Sequence, residues 1–325
     1  MQPVKSKKTK LFVILGLFLL PTLGILGKRI FFPSATEKIL SEEDIIRKRY
    51  DETLKVSYDS DPSWYPDREL AAGSGPAVVA ESAILVDLNS GKLLFNKNSS
   101  DKREIASLVK IMTAVIALEH KNLDDKVLIP EDATTIGENS MGLTSGEVFT
   151  LEELLYGLIM DSGNDSAYAI ARSTAGDIGT FVKWMNIKAE ELGLNDTKFF
   201  DPSGLDDSSK STAVDLVKLT RYALKNPKFK EIVATVQKEL PASSDHKYLP
   251  LYNQTNLLTT YPGVLGVKTG YTEEAGLCLV TYAKNDEKEV VGVVLDSVNR
   301  KGDMILMLDH GFSTLGVAIE HNLLK

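Results

Sequence analysis

The chain has 325 residues, 43% hydrophobic and 25% charged, a balance that suits a folded protein with enough length for a substantial core. Its net charge of −8 is unevenly spread: residues 1–30 hold six basic groups and no acidic one, which leaves residues 31–325 at −14. An acidic body without a phosphate-binding glycine loop, a repeat or a low-complexity tract excludes nucleic acid as the main partner.

In chain order, the basic flank "MQPVKSKKTK" precedes "LFVILGLFLLPTLGILG", seventeen residues without a charge. That pattern predicts a single-pass anchor over residues 1–32 with a cytoplasmic N-terminus, or alternatively a cleaved signal peptide. Either way the body is expected to be exported. Residues 33–76 read as a spacer: an amphipathic helix over 36–57, then "YDSDPSWYPDRELAAGSGP", rich in turn-forming residues. The compact domain is placed at 77–325. It opens with two apolar strands around Asn89-Ser90-Gly91, a hairpin signal. The stretch "ASLVKIMTAVIALEH" (106–120) follows, helical by periodicity and apolar nearly all round, and so expected to lie buried. Residues 151–235 read as mostly helical, strand character returns from Leu257, and "KGDMILMLDHGFSTL" reads as a last helix. Strands at both ends with helices between predict one sheet built from the two termini plus a helical insertion, an α+β domain.

Three short motifs stand out. Ser107 and Lys110 form S-x-x-K on the buried helix, where positions i and i+3 share a face. Ser162-Gly163-Asn164 sits in a turn between two helical runs, and Lys268-Thr269-Gly270 lies on a strand. A serine hydroxyl needs an adjacent base, and Lys110 serves as one only when neutral, a state that burial and a second cation, Lys268, would favour. A serine near a helix start also has backbone N–H groups close by for an oxyanion. Ser162 is expected to relay a proton to the leaving amine, and Asn164 to hold a substrate amide. Lys268 and Thr269 offer a charge and a hydroxyl to a carboxylate, and Gly270 lets a strand approach a peptide closely.

Around these motifs, residues from about 78 to 312 resemble the serine-type D-alanyl-D-alanine carboxypeptidases, the low-molecular-mass penicillin-binding proteins. The phrases "ASLVKIMTA", "LLYGLIMDSGNDSAYAIA", "STAVDLVKLTRYAL", "YNQTNLLTTYPGVLGVKTGYT" and "AGLCLV" carry the resemblance. It implies a transpeptidase- and β-lactamase-like fold, an antiparallel five-stranded sheet flanked by helices beside a helical subdomain. It implies acylation of Ser107 by a peptidoglycan stem peptide with release of the terminal D-alanine, and β-lactam antibiotics as covalent inhibitors. It further implies an oxyanion hole from the backbone N–H groups of Ser107 and Tyr271, and Arg300 near the substrate carboxylate. The sequence departs from the family pattern at Val109, where threonine is common, and at Tyr271, where some members have histidine. Many members add a β-rich domain and a C-terminal amphipathic anchor after the last helix; neither is expected here, and the N-terminal apolar run is the expected membrane attachment.

No cofactor or metal is expected, because His120, His246, His310 and His321 show no ligand spacing. The lone Cys278, in "GLCLV", reads as a core residue, and Glu273 and Glu274 as a solvated turn. A D,D-endopeptidase that cuts cross-links shares the same machinery and stays open as the alternative. A β-lactamase is disfavoured because "FFDPSGLDD" (199–207) lacks a deacylating glutamate. An inactive peptidoglycan-binding module has no use for a buried amine.

Overall fold

A computed structural model describes residues 40–67 and 75–324. The expected N-terminal anchor lies outside the described residues; among these, no helix is long and apolar enough to cross a membrane.

Five strands, β1 (Ser82–Asp87), β2 (Leu93–Lys97), β3 (Val264–Thr272), β4 (Gly276–Asn285) and β5 (Lys288–Ser297), form one antiparallel sheet in the order β2-β1-β5-β4-β3. The two termini of the domain thus build the sheet, as the strand pattern anticipates. Strand β1 is buried along its whole length, which explains why "SAILVD" shows no polar alternation. Its two faces serve different layers. Ile84 and Val86 join the larger core with the helices, while Ala83 and Leu85 pack with Met304, Leu308 and Phe312 of the last helix.

Eight longer helices surround the sheet: α1 (Glu42–Thr53), α2 (Lys110–His120), α3 (Leu151–Met160), α4 (Asn164–Ala175), α5 (Ile178–Glu191), α6 (Ala213–Ala223), α7 (Pro227–Ala234) and α8 (Arg300–Thr314). A 3-10 turn at Ala106–Val109 leads into α2. Every residue of α2 is buried, packed among α3, α4, α5 and α6, so its uniformly apolar sequence matches a central helix. Three of these four neighbours are started by side-chain caps: the Thr150–Glu153 capping box of α3, Asp177 ahead of α5 and Thr212 ahead of α6.

The segment read as a spacer differs from expectation. Helix α1 is shorter than 36–57 and is docked on the body, with Tyr50 fully buried. The Tyr50 ring meets His120 at 4.7 Å and Trp184 at 5.7 Å, and its hydroxyl donates to Glu191 at 3.1 Å. Beyond α1, the backbone N–H groups of Lys55 and Val56 donate to the Glu119 carbonyl at the end of α2. Tyr50 is the buried residue of α1, and Arg47 adds an ion pair to Glu191 at 2.6 Å; a single aromatic in a charged helix leaves no apolar stripe in the sequence. Tyr50→Ala is expected to cost about 3 kcal/mol or more, because a large aromatic leaves a cavity against Trp184. Urea unfolding of the two proteins side by side would measure it.

Candidate active site

The buried helix begins at the cleft. Ala106 has a left-handed backbone, φ 46°, and the 3-10 turn it starts leaves Ser107 partly exposed while Lys110 is fully buried. Lys110 Nζ lies 2.9 Å from Ser107 Oγ, 2.7 Å from Asn164 Oδ1 and 2.7 Å from the Ser203 carbonyl. Two of these three partners are acceptors only. The Asn164 amide nitrogen is committed to the Gly137 carbonyl at 2.9 Å, so its oxygen must face the lysine. A neutral amine has two N–H donors and one lone pair. The two acceptors take the donors, and the lone pair is left for the Ser107 hydroxyl. Burial lowers the Lys110 pKa to about 7, against the pull of Asp201 and Asp165 in the other direction. The base is therefore available near neutral pH.

A second serine–lysine pair faces the same cleft. Ser162, at φ 60° in the turn between α3 and α4, accepts from Lys268 Nζ at 2.9 Å, and Lys268 also donates to the Thr269 carbonyl at 2.9 Å. Strand register explains why this lysine points inward: Lys268 pairs with Val280, which pairs with Val293, which pairs with Ile84. These residues form one row across the sheet, on the face that meets the helices. Burial first, then the positive charges of Lys110 and Arg300, hold the Lys268 pKa well below the usual lysine range.

Strand β3 is an edge of the sheet and runs close past the start of α2. A Cβ at Gly270 would sit 3.1 Å from the Ile105 carbonyl and 3.2 Å from Ser107 N, so a side chain there would push the strand away. Arg300, the first residue of α8, donates to the Gly270 carbonyl at 2.7 Å and the Cys278 carbonyl at 3.3 Å. Ser107, Ser162, Asn164, Thr269, Gly270, Tyr271 and Arg300 all line one cleft of about 450 Å³. Lys110 and Lys268 lie behind its wall and reach it through the two serines.

Three contributions escape a reading by motif. The Ser203 carbonyl holds the amine, and it comes from the "DPSG" turn that sequence offers only as the place of a missing glutamate. Gly204 lies against the nucleophile turn at φ 82°, where a Cβ would fall 1.9 Å from the Ala106 carbonyl. Buried Asp165 accepts from the backbone of Met141, Gly142 and Leu143 and from the Ser140 hydroxyl, shaping the loop whose Glu138 and Asn139 line the cleft. Gly204→Ala is expected to lower stability by roughly 2 kcal/mol or more through backbone strain and the clash, and to displace Ser107. Thermal melting together with penicillin labelling would detect both effects.

Cys278 is fully buried and its thiol is pushed up to about 12 by burial, in keeping with a core residue. Among the described residues no group of three or more His, Cys, Asp or Glu side chains is arranged to hold a metal. His120 stacks on Trp184 and His246 on Phe149, both as core rings.

The family profile described as D-alanyl-D-alanine carboxypeptidase matches residues 70–299, most of the chain. This chain belongs to that family. Among its relatives, D-alanyl-D-alanine carboxypeptidase DacF of Bacillus subtilis is 36% identical over 261 residues, covering 78% of this chain and 67% of that protein. The D-alanyl-D-alanine endopeptidase of Escherichia coli is 33% identical over 232 residues, covering 70% of this chain and 74% of its own length. Among solved structures, the Streptomyces K15 DD-transpeptidase superposes with a TM-score of 0.70 at 31% identity, covering 74% of this chain and 99% of the other. The D-alanyl-D-alanine carboxypeptidase of Mycobacterium tuberculosis gives 0.70 at 34% identity, over 74% and 95%. The α+β domain with its five-stranded antiparallel sheet is thus the DD-peptidase fold, as the resemblance of the motifs implies.

Proposed function

We propose that this serine-type D-alanyl-D-alanine carboxypeptidase removes the terminal D-alanine from peptidoglycan stem pentapeptides through an acyl-enzyme on Ser107. The observation that carries this reading is the Lys110 amine, 2.9 Å from Ser107 Oγ with both of its N–H donors engaged elsewhere. Lys110 takes the hydroxyl proton as Ser107 Oγ bonds to the carbonyl carbon of the penultimate D-alanine. The backbone N–H groups of Ser107 and Tyr271 hold the resulting oxyanion. When the C–N bond breaks, Ser162 gives its hydroxyl proton to the leaving nitrogen and recovers one from the Lys110 ammonium, which leaves Lys110 neutral again, while the neighbouring Lys268 orients the Ser162 oxygen. Asn164 presents its second amide hydrogen to the substrate backbone. The Thr269 hydroxyl and the free side of Arg300 receive the terminal carboxylate beside Gly270, and the buried Lys268 acts on it only from behind Ser162 and Thr269. Water then hydrolyses the ester, with Lys110 again as base. A β-lactam acylates Ser107 by the same steps.

The apolar run after "MQPVKSKKTK" supports a membrane attachment with the catalytic body outside the cytoplasm, and its retention in carbonate-washed membranes would test that. The relative named as an endopeptidase supports a second reading, in which the leaving amine belongs to a cross-link. Incubation with a stem pentapeptide and, separately, with a cross-linked dimer decides between them. Free D-alanine from the pentapeptide is expected; cleavage of the dimer alone would assign the endopeptidase.

A further inference from the structure

The loop between α5 and α6 is tied to α2 at two points. Thr113 Oγ1 donates to the Pro202 carbonyl at 2.6 Å, and Lys110 Nζ donates to the Ser203 carbonyl at 2.7 Å. What fixes the other side of this loop is one carboxylate. Asp201 is 5% exposed and accepts from Ser203 N at 3.1 Å, from the Ser203 hydroxyl, from Gly204 N at 2.9 Å and from Leu205 N at 3.2 Å. The amides of the turn therefore point to Asp201 while the Ser203 carbonyl points to the base. Gly204, immediately after, has the left-handed backbone that lets the turn pass under Ala106.

We propose that Asp201 is a positioning residue for acylation: by clamping the amide side of the turn it holds the Ser203 carbonyl on Lys110, so that the amine's lone pair stays directed at Ser107. It rests on Lys110 being the base for Ser107. In the step itself the Ser107 proton moves to Lys110 Nζ as the Oγ–C bond forms. Asp201 also bears on the charge of the base. The groups that face Lys110 are Asp201 from this loop, Asp165 from α4 and Lys268 from β3. Arg300 and Asp161 lie next to Lys268, and Tyr168 lies near Asp201. The two aspartates favour the ammonium, and burial, the larger effect, opposes it. Removing the Asp201 charge thus makes Lys110 a weaker base that stays neutral to lower pH.

The test is the second-order rate of acylation by a chromogenic penicillin across pH for wild type, Asp201→Asn and Asp201→Ser, with near-ultraviolet circular dichroism at each pH. In folded Asp201→Asn the maximal rate is expected to fall roughly tenfold or more, and the acid limb to move to lower pH by about half a unit. Asp201→Ser keeps a short acceptor for the turn and drops the charge, so it should move the limb in the same direction. A role confined to fold stability would lower the melting temperature and leave the limb in place, and that result overturns the proposal. So does failure of both variants to fold. Absence of an adduct on wild type would instead refute the reading of Ser107 and Lys110, which separates the two failures.

Discussion

Alanine at position 107 is expected to lower D-alanine release by roughly ten-thousand-fold or more and to abolish the covalent penicillin adduct. The loss should be near total because the remaining machinery acts only on a bond that Ser107 makes. Lys110 has no other hydroxyl among its hydrogen-bond partners; these are Ser107 Oγ, Asn164 Oδ1 and the Ser203 carbonyl. Ser162 is held by a different lysine, Lys268, and gains no base when Ser107 is removed. The fold should tolerate the change, since Ser107 is partly exposed and the turn it sits in is set by backbone bonds such as Leu108 N to the Ile105 carbonyl at 3.1 Å. A melting temperature within a degree or so of wild type is therefore part of the expectation. Intact-mass spectrometry after exposure to penicillin gives a direct reading. An adduct that survives in Ser107→Ala would place the nucleophile elsewhere in the cleft, with Ser162 the first residue to replace.

The parts of this site that sequence exposes are those written in short, regular spacings. Ser107 and Lys110 are legible together because three residues on a helix bring them to one face, and the wholly apolar helix announces its own burial. Lys268 is legible as a strand residue, and its inward direction follows from the same period-two alternation as Val280 and Val293 on the neighbouring strands. The less legible parts act through backbone groups or over long separations. Ser203 contributes a carbonyl, which any residue has, so its identity carries no signal. Asp165 organises amides 22 to 24 residues earlier, and its role depends on where that loop returns. Arg300 reads as a residue ahead of a helix; its reach to the Gly270 carbonyl, 30 residues back, exists only once β3, β4 and β5 have folded into adjacent strands. The docking of α1 belongs to the same class. Tyr50 finds Trp184 and His120, contacts between distant segments that the local pattern of a charged helix does not encode.

Replacing Lys110 with methionine is expected to lower acylation by roughly a thousandfold while leaving a folded protein, since methionine fills a similar unbranched volume. The pH dependence should separate this variant from any that merely disturbs the cleft. With its pKa lowered to about 7, Lys110 in the wild type loses its lone pair as pH falls, so acylation should drop about tenfold for each pH unit well below that value. The methionine variant has no such limb, and its residual rate should be flat across the same range. Stability gives an independent sign. The folded-state pKa of Lys110 lies below the unfolded value of 10.5, so between about 7 and 10.5 the unfolded chain binds a proton that the folded chain does not. Raising pH through that window therefore favours the folded wild type, and at or below its lower edge burial of the ammonium exacts its full cost. Lys110→Met escapes that cost but leaves Asn164 Oδ1 and the Ser203 carbonyl without their donor, a loss of about 1–3 kcal/mol for each acceptor. The two effects oppose one another near neutrality, so the absolute difference in melting temperature there should be small. Its trend carries the test: the wild type should gain on the variant steadily as pH rises toward 10.5. Parallel melting curves at every pH would mean that Lys110 titrates alike in both states, and the neutral buried amine would then have to be given up as the base.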